Sequence, residues 1–95
     1  MLNTACMTVS FYLHGCRSLK EKRQRLGRIK DKFARHANLA LCESGHNDEH
    51  HRGEWSFVGV AGSAVVVEQI LGDVERYLLA SIDAEIVDLK RVWLS

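Results

Sequence analysis

The chain contains no proline, only three cysteines and no long uninterrupted apolar run. Cys6, Cys16 and Cys42 are too few and too scattered for a disulfide framework, and no C-x-x-C pair occurs, which favours a reducing cytosol. No stretch approaches the roughly 20 apolar residues that a membrane-spanning helix needs. The first residues, MLNTACMTVSF, lack the basic start and the long apolar run of a signal peptide. We therefore expect a cytoplasmic protein with no membrane segment.

The length and the apolar content set the size of the fold. The chain has 95 residues, of which 46% are apolar, and this is ample for one hydrophobic core. No proline interrupts a helix or strand, and no linker or low-complexity tract divides the chain. We therefore expect a single domain over residues 1–95.

The charge is distributed very unevenly. The formal net charge of the whole chain is only +1, but residues 17–35, RSLKEKRQRLGRIKDKFAR, hold nine of the 13 Lys and Arg residues and only two acids. The net charge of this segment is +7, so the other 76 residues carry −6. A concentrated basic surface indicates an acidic partner, and nucleic acid is the commonest one.

The basic segment has the pattern of an amphipathic helix that follows a strand. Residues 7–13 alternate between apolar and polar side chains, which predicts a strand with one buried face. Ser18 and Glu21 form the S-x-x-E pattern of a capping box, which would satisfy two free amides at the start of a helix. Apolar residues then recur at helical spacing as far as Phe33. Lys22 lies at the edge of this apolar stripe, so it must extend to solvent or meet a partner.

The rest of the chain predicts one more helix and three more strands. The expected order is a strand at 39–42, a polar loop at 44–54, a strand at 55–61, a helix capped by Ser63 and closed at 82–83, and a strand at 85–94. The last strand alternates imperfectly, which indicates a bulge or a partly exposed edge. The order β-α-β-β-α-β predicts an α+β ferredoxin-like sandwich, with a four-stranded antiparallel sheet and both helices on one face. The other face of the sheet is left uncovered by the chain itself.

The beginning of the predicted helix resembles a known family. Residues 13–23, LHGCRSLKEKR, are similar to the first loop and helix of the YlxP-like family, whose usual pattern is L-P-G-x-x-S-L-K-E-K-R. The likeness continues through Glu43, His46 and Asp48 and through residues 59–61, and so covers nearly the whole chain. The family consists of small bacterial proteins of unknown function, and its fold is ferredoxin-like.

The resemblance implies a connection with RNA or the ribosome, because the family's genes often lie among genes for translation and ribosome maturation. Two features depart from the family pattern. His14 stands where proline is usual, and the hairpin at 48–54 is longer than usual.

The first hypothesis is therefore a non-enzymatic RNA-binding or ribosome-associated protein without a cofactor. Basic side chains and the amides at a helix N-terminus attract phosphates. The residues expected to contact nucleic acid are those of the first helix and its N-terminal loop: Arg17, Lys20, Lys22, Arg23, Arg25 and Arg28. The alternative is a solvated surface that only keeps the protein soluble.

The second hypothesis is a homo-oligomeric interaction module, most simply a dimer, with no role in nucleic-acid binding. Its sheet face or edge would pair with a second copy of the chain. Val65, Leu79 and Trp93 and the last strand are the expected contacts, because they leave apolar surface outside the predicted core.

Three further patterns have weaker functional interpretations. Residues 52–58 loosely match the RNA-recognition signature that stacks bases on a sheet, but Trp55 and Phe57 are more simply core residues or a dimer contact. His46, His50 and His51 are of metal-ligating type, yet their spacing fits no standard zinc motif, so we expect no metal site. Cys16 precedes a basic helix start, where a thiol can be activated, but the loop does not match a cysteine phosphatase. We expect no enzyme.

Overall fold

The computed structural model of the chain describes residues 1–95. Its elements follow the order β1 (Asn3–Tyr12), α1 (Leu19–Phe33), β2 (Leu39–Gly45), β3 (Arg52–Ala61), α2 (Ala64–Ser81) and β4 (Glu85–Trp93). The four strands form one antiparallel sheet in the order β2-β3-β1-β4. The predicted ferredoxin-like sandwich is confirmed, with β2 and β4 at the two edges.

The alternation of side chains along β1 decides which face of the sheet is covered. Met7, Val9 and Phe11 are fully buried, whereas Thr8 and Ser10 lie on the uncovered face. The buried face packs against the apolar stripes of α1 and α2, which contribute to one continuous core. The helices acquire most of their stability from this packing rather than from propensity, because short isolated helices are marginal in water.

The orientation of β3 determines whether its aromatic residues face the helices or lie on the uncovered face of the sheet. Trp55 and Phe57 face the helices and are buried, whereas Val58 and Val60 lie on the uncovered face. The core interpretation of both aromatic residues is confirmed. The uncovered face therefore presents no aromatic ring from β3 on which a base could stack.

The predicted irregularity of β4 is a bulge. Ser10 pairs with Asp88 and Phe11 pairs with Ile86, so Val87 has no partner in β1. Val87 is also exposed to solvent at the edge of the sheet. A bulge re-aims the side chains on either side of it, which explains the imperfect alternation of this strand.

Several boundaries differ from the sequence prediction. Strand β1 begins at Asn3 rather than at residue 7, because its first residues pair with the ends of β3 and β4. Strands β2 and β3 continue into the predicted polar loop, where Ser44 Oγ bonds Ser56 Oγ at 2.7 Å and Glu54 Oε1 at 2.8 Å. Polar side chains that bond one another across two strands can thus extend a sheet beyond its apolar residues.

The predicted helix caps are only partly formed. Ser18 Oγ accepts the Glu21 amide at 3.0 Å, but the Glu21 carboxylate pairs with Arg25 rather than returning to Ser18. The capping box is therefore half made, and the prediction of two satisfied amides is wrong in this respect. Ser63 occupies the N-cap of α2, but its side chain makes no capping hydrogen bond. Neither helix of the structure combines the length and the apolar character needed to cross a membrane.

Candidate nucleic-acid interface

Lys22 is not part of the surface. It is only 2% exposed, and its ammonium donates to the carbonyl oxygens of His46 at 2.7 Å and Glu49 at 2.9 Å. The Glu43 carboxylate lies 3.6 Å from the same nitrogen. The prediction that Lys22 contacts nucleic acid is corrected, because its charge is used inside the fold to hold the β2–β3 loop. A buried ammonium of this kind requires such partners.

The loop that Lys22 holds also contains an ion pair. His46 Nδ1 lies 3.1 Å from Glu49 Oε1, and His46 adopts a left-handed backbone conformation with φ 57°. The hydrogen bond from His46 lowers the pKa of Glu49 below 4.5, and the charges of His46, Arg52 and Lys22 lower it further. The loop is therefore closed by several local interactions rather than being a free polar tip.

Arg25 is also engaged within the chain. Its side chain is 13% exposed, and it donates to the carbonyl oxygens of His14 and Asp83, each at 2.8 Å. It also forms ion pairs with Glu21 at 3.4 Å and Asp83 at 3.2 Å. Arg25 thus joins the β1–α1 turn to the turn before β4, which corrects its expected role as a free phosphate contact.

The remaining cations of the basic segment are available. Lys32 lies over the ring of Tyr77, with its nitrogen 5.5 Å from the ring centre. Six others are exposed and make no ion pair or side-chain hydrogen bond within the chain: Arg17, Lys20, Arg23, Arg28, Lys30 and Arg35. We call these six residues the free cations. They include four of the six residues predicted from the sequence, and they add Lys30 and Arg35.

The N-terminal end of α1 lies among these charges. Gly15 takes a left-handed conformation with φ 69°, which an L-amino acid adopts only with strain, and so allows the tight turn from β1. Ser18 Oγ satisfies the amide of Glu21, while the amides of Leu19 and Lys20 meet no acceptor in the chain. Unpaired amides at the positive end of the helix dipole favour an anion.

A groove of about 750 Å³ lies between α1 and β2. Its apolar lining includes Leu26, Leu41 and Trp55, and the free cations Arg23 and Lys30 belong to its rim. Trp55 is 9% exposed, and its indole Nε1 is buried with no hydrogen-bond partner. An unmet buried donor costs about 1–3 kcal/mol. Sequence patterns could not reveal this groove, because its width depends on how α1 sits against the sheet edge.

The histidines do not assemble into a metal centre. The rings of His50 and His51 lie 4.2 Å apart, and the ring of Tyr12 lies 4.6 Å from His14 and 6.5 Å from His51. No group of three or more His, Cys, Asp or Glu side chains is arranged to hold a metal ion. These rings instead form an aromatic cluster at the end of the molecule that carries the β2–β3 loop.

Cys16 lies in the core rather than in an open loop. It is 2% exposed, and its thiol donates to the carbonyl oxygen of Ser18 at 3.4 Å. A nucleophilic thiol needs access and a stabilised thiolate. The geometry gives Cys16 no access to a substrate, so nothing in this turn favours the phosphatase-like interpretation.

The sequence matches a known protein family. The family model described as "Protein of unknown function (DUF503)" matches residues 4–91. The chain belongs to this family. Membership of DUF503 agrees with the expectation of a small uncharacterised family, whereas the YlxP-like name remains a resemblance. No curated protein matches the chain.

Solved structures resemble this DUF503 chain in fold. The de novo designed protein Foldit4 is 9% identical, with a TM-score of 0.54 and 97% of each chain covered. SnoaB from Streptomyces nogalater, a cofactor-independent oxygenase, is 13% identical, with a TM-score of 0.51, 98% of this chain and 92% of SnoaB covered. A de novo designed protein with a ferredoxin fold is 13% identical, with a TM-score of 0.47, 100% of this chain and 87% of the designed chain covered. At such low identity the first two likenesses show the fold and nothing about function.

Proposed function

We propose that this DUF503 protein is a non-enzymatic RNA-binding protein of the cytoplasm that works on or near the ribosome, and that the free cations of α1 are its contact surface. The observation that carries the proposal is that these six cations have no acidic partner within the chain, although the remainder of the chain is rich in acids. Cations left unpaired on one helix attract the phosphate backbone of a nucleic acid.

The arrangement of the free cations supports phosphate contacts over several nucleotides. Lys20, Arg23, Arg28 and Lys30 all lie on the solvent side of α1, and Arg17 and Arg35 lie just beyond its two ends. The 15 residues of α1 give an axis of about 22 Å at 1.5 Å per residue. Contacts distributed over this length would position the protein on a backbone without reading its sequence.

The proposal is tested by fluorescence anisotropy with structured bacterial ribosomal RNA across a salt series. We expect log K to fall linearly with log salt, with a slope of roughly −3 to −5 for four to six phosphate contacts. A binding constant that does not change with salt, or the absence of binding at low salt, would contradict the proposal.

A matched pair of variants separates the helix from the overall charge. The triple variant Lys20→Gln/Arg23→Gln/Arg28→Gln removes three free cations from α1. The control Arg76→Gln/Lys90→Gln/Arg91→Gln removes the same charge from α2 and β4, where each residue pairs with an acid. We expect the α1 variant to flatten the salt slope by about 2 to 3, whereas the control changes it little. Equal losses in both variants would assign binding to net charge alone.

A second candidate function, a dimerisation module, is favoured by a cluster of exposed apolar residues. The start of β1, the start of α2 and the end of β4 lie at one end of the molecule. This end carries Met1, Leu2, Val65, Val66, Trp93 and Leu94, all exposed. Contiguous apolar surface of this kind often marks a protein interface.

Sedimentation at micromolar concentration tests this second candidate. A dimer that dissociates in a Val65→Lys/Trp93→Lys variant would support it, whereas a wild-type monomer would remove it. Dimerisation and RNA binding are compatible, because a dimer would double the basic surface.

A further inference from the structure

The groove between α1 and β2 combines two features that surface cations alone do not explain. Its lining includes apolar side chains, among them Trp55, and its rim carries two free cations. Small-molecule sites in proteins have this composition, with an apolar lining and a few polar groups that fix orientation. The volume of about 750 Å³ lies within the usual range for such sites.

The two rim cations are placed on the same side of α1. Arg23 and Lys30 are seven residues apart, which is two helical turns, or about 10 Å along the axis. Neither has an acidic partner, whereas Glu43, which also lines the groove, is already paired with Lys22. Asp31 is an acid in the lining without an ion-pair partner, so the site is unsuited to a simple inorganic anion. The apolar lining and the cationic rim together suit a ligand with an uncharged part and an anionic part.

We propose that this groove binds an unpaired nucleotide of single-stranded RNA. The base would lie on the apolar lining to which Trp55 contributes, and the flanking phosphates would contact Arg23 and Lys30. The inference rests on the proposed function and deepens it, because it makes the preferred substrate an unpaired segment rather than a duplex. Proteins recognise RNA sequences mainly at such unpaired bases, because the grooves of the duplex hide their edges.

The other occupant that the shape admits is a peptide strand added to the free edge of β2. The unpaired rim cations favour the nucleotide, because a peptide strand gains its affinity mainly from backbone hydrogen bonds. A peptide also has no need of two cations in fixed positions.

The test uses the Trp93→Phe variant, in which Trp55 is the only tryptophan. Trp93 is half-exposed on β4, so its replacement leaves the groove intact. We follow Trp55 fluorescence and the Trp55 indole N–H resonance during titration with a short single-stranded RNA, with a duplex of the same length and with AMP. We expect a response to the single strand and to millimolar AMP, and a much smaller response to the duplex.

Two variants add readouts that do not depend on Trp55. Gly27 lines the groove, and the position of its missing side chain is open. Gly27→Leu narrows the groove without changing any charge and suits a helix, so we expect single-strand affinity to fall roughly tenfold, with duplex affinity unchanged. Arg23→Gln/Lys30→Gln should weaken single-strand binding more than Lys20→Gln/Arg28→Gln, which removes the same charge away from the groove.

The outcomes separate this inference from the proposed function. RNA binding that changes neither the Trp55 fluorescence nor the Trp55 indole resonance, and that Gly27→Leu does not weaken, would overturn the groove site. The RNA-binding proposal would then still stand. A Trp55 response to AMP without binding of any RNA would support a nucleotide site and overturn the RNA-binding proposal. The absence of RNA binding by anisotropy together with the absence of a Trp55 response to AMP would overturn both proposals.

Discussion

Lys22 shows how one residue of the basic segment serves the fold rather than a ligand. Its position at the edge of the apolar stripe predicts that it extends to solvent or meets a partner, and the structure supplies the partner. The carbonyl oxygens of His46 and Glu49 are separated from it by 24 and 27 residues. Periodicity along a helix cannot identify contacts with so distant a loop. The sequence therefore indicated that Lys22 needs solvent or a partner, but it could not identify the partner.

We predict that Lys22→Met destabilises the protein by about 1–3 kcal/mol, because the carbonyl oxygens of His46 and Glu49 and the Glu43 carboxylate lose their donor. Urea unfolding measures the change. Amide exchange in residues 44–51 should also become faster, since the ammonium holds this loop. The matched control is Lys20→Met, an exposed and unpaired position two residues away, which should change stability by no more than about 0.5 kcal/mol. Equal stability of the two variants would contradict the structural role of Lys22.

Helix α1 packs closely against β3 at one of its glycines. Gly53 faces α1, and a Cβ atom at this position would lie 2.9 Å from Leu26 Cδ1. Gly59, six residues further along β3, has room for a Cβ atom at 3.5 Å from Val67 Cγ1. The observed alternation of β3 places both positions on the buried face, although Gly53 lies in the predicted polar loop, and only the distance between helix and sheet distinguishes the two glycines.

We predict that Gly53→Ala costs about 1–3 kcal/mol of unfolding free energy, because the buried Leu26 must move. Gly59→Ala should be neutral or stabilise by up to about 1 kcal/mol, since the unfolded chain loses freedom and no contact is strained. Thermal and urea unfolding of the two variants give the comparison. The same effect at both positions would show that α1 does not approach β3 as closely as the structure describes.

The β2–β3 loop is a second element whose behaviour depends on local contacts. The pKa of Glu49 is lowered from 4.5 in the folded protein, chiefly by its hydrogen bond with His46. The hydrogen bond with His46 therefore contributes stability that is present above about pH 4.5 and is lost as the pH falls through the lower, folded pKa of Glu49.

Replacement of His46 tests this coupling. We predict that His46→Asn raises the pKa of Glu49 back toward 4.5, with NMR of the carboxyl carbon as the measurement. Asparagine tolerates the left-handed conformation of position 46 and removes the charge. The control is His51→Asn, since His51 does not contribute to the lowered pKa, and Glu49 should titrate there as in the wild type. An unchanged Glu49 titration in His46→Asn would refute the pair.

Folding leaves most, but not all, of the basic segment's charge on the surface of the molecule. Lys22 and Arg25 are withdrawn into the structure, and six cations are left on and around α1 without partners. Alternation and helical spacing were sufficient to predict the fold, because β1, β3 and both helices have a clear buried face. The same patterns predicted six residues for the nucleic-acid interface. They did not distinguish the cations that bond within the chain from the free cations, because that difference arises only from tertiary contacts.

Whether the free cations of α1 form the functional surface is tested by an NMR titration of the ¹⁵N-labelled protein with ribosomal RNA fragments that contain unpaired segments. We expect shifts along α1 and at the β1–α1 turn, with the largest effects at Lys20, Arg23 and Lys30. Shifts confined to the uncovered face of the sheet or to the apolar end of the molecule, or no shifts at low salt, would contradict this expectation.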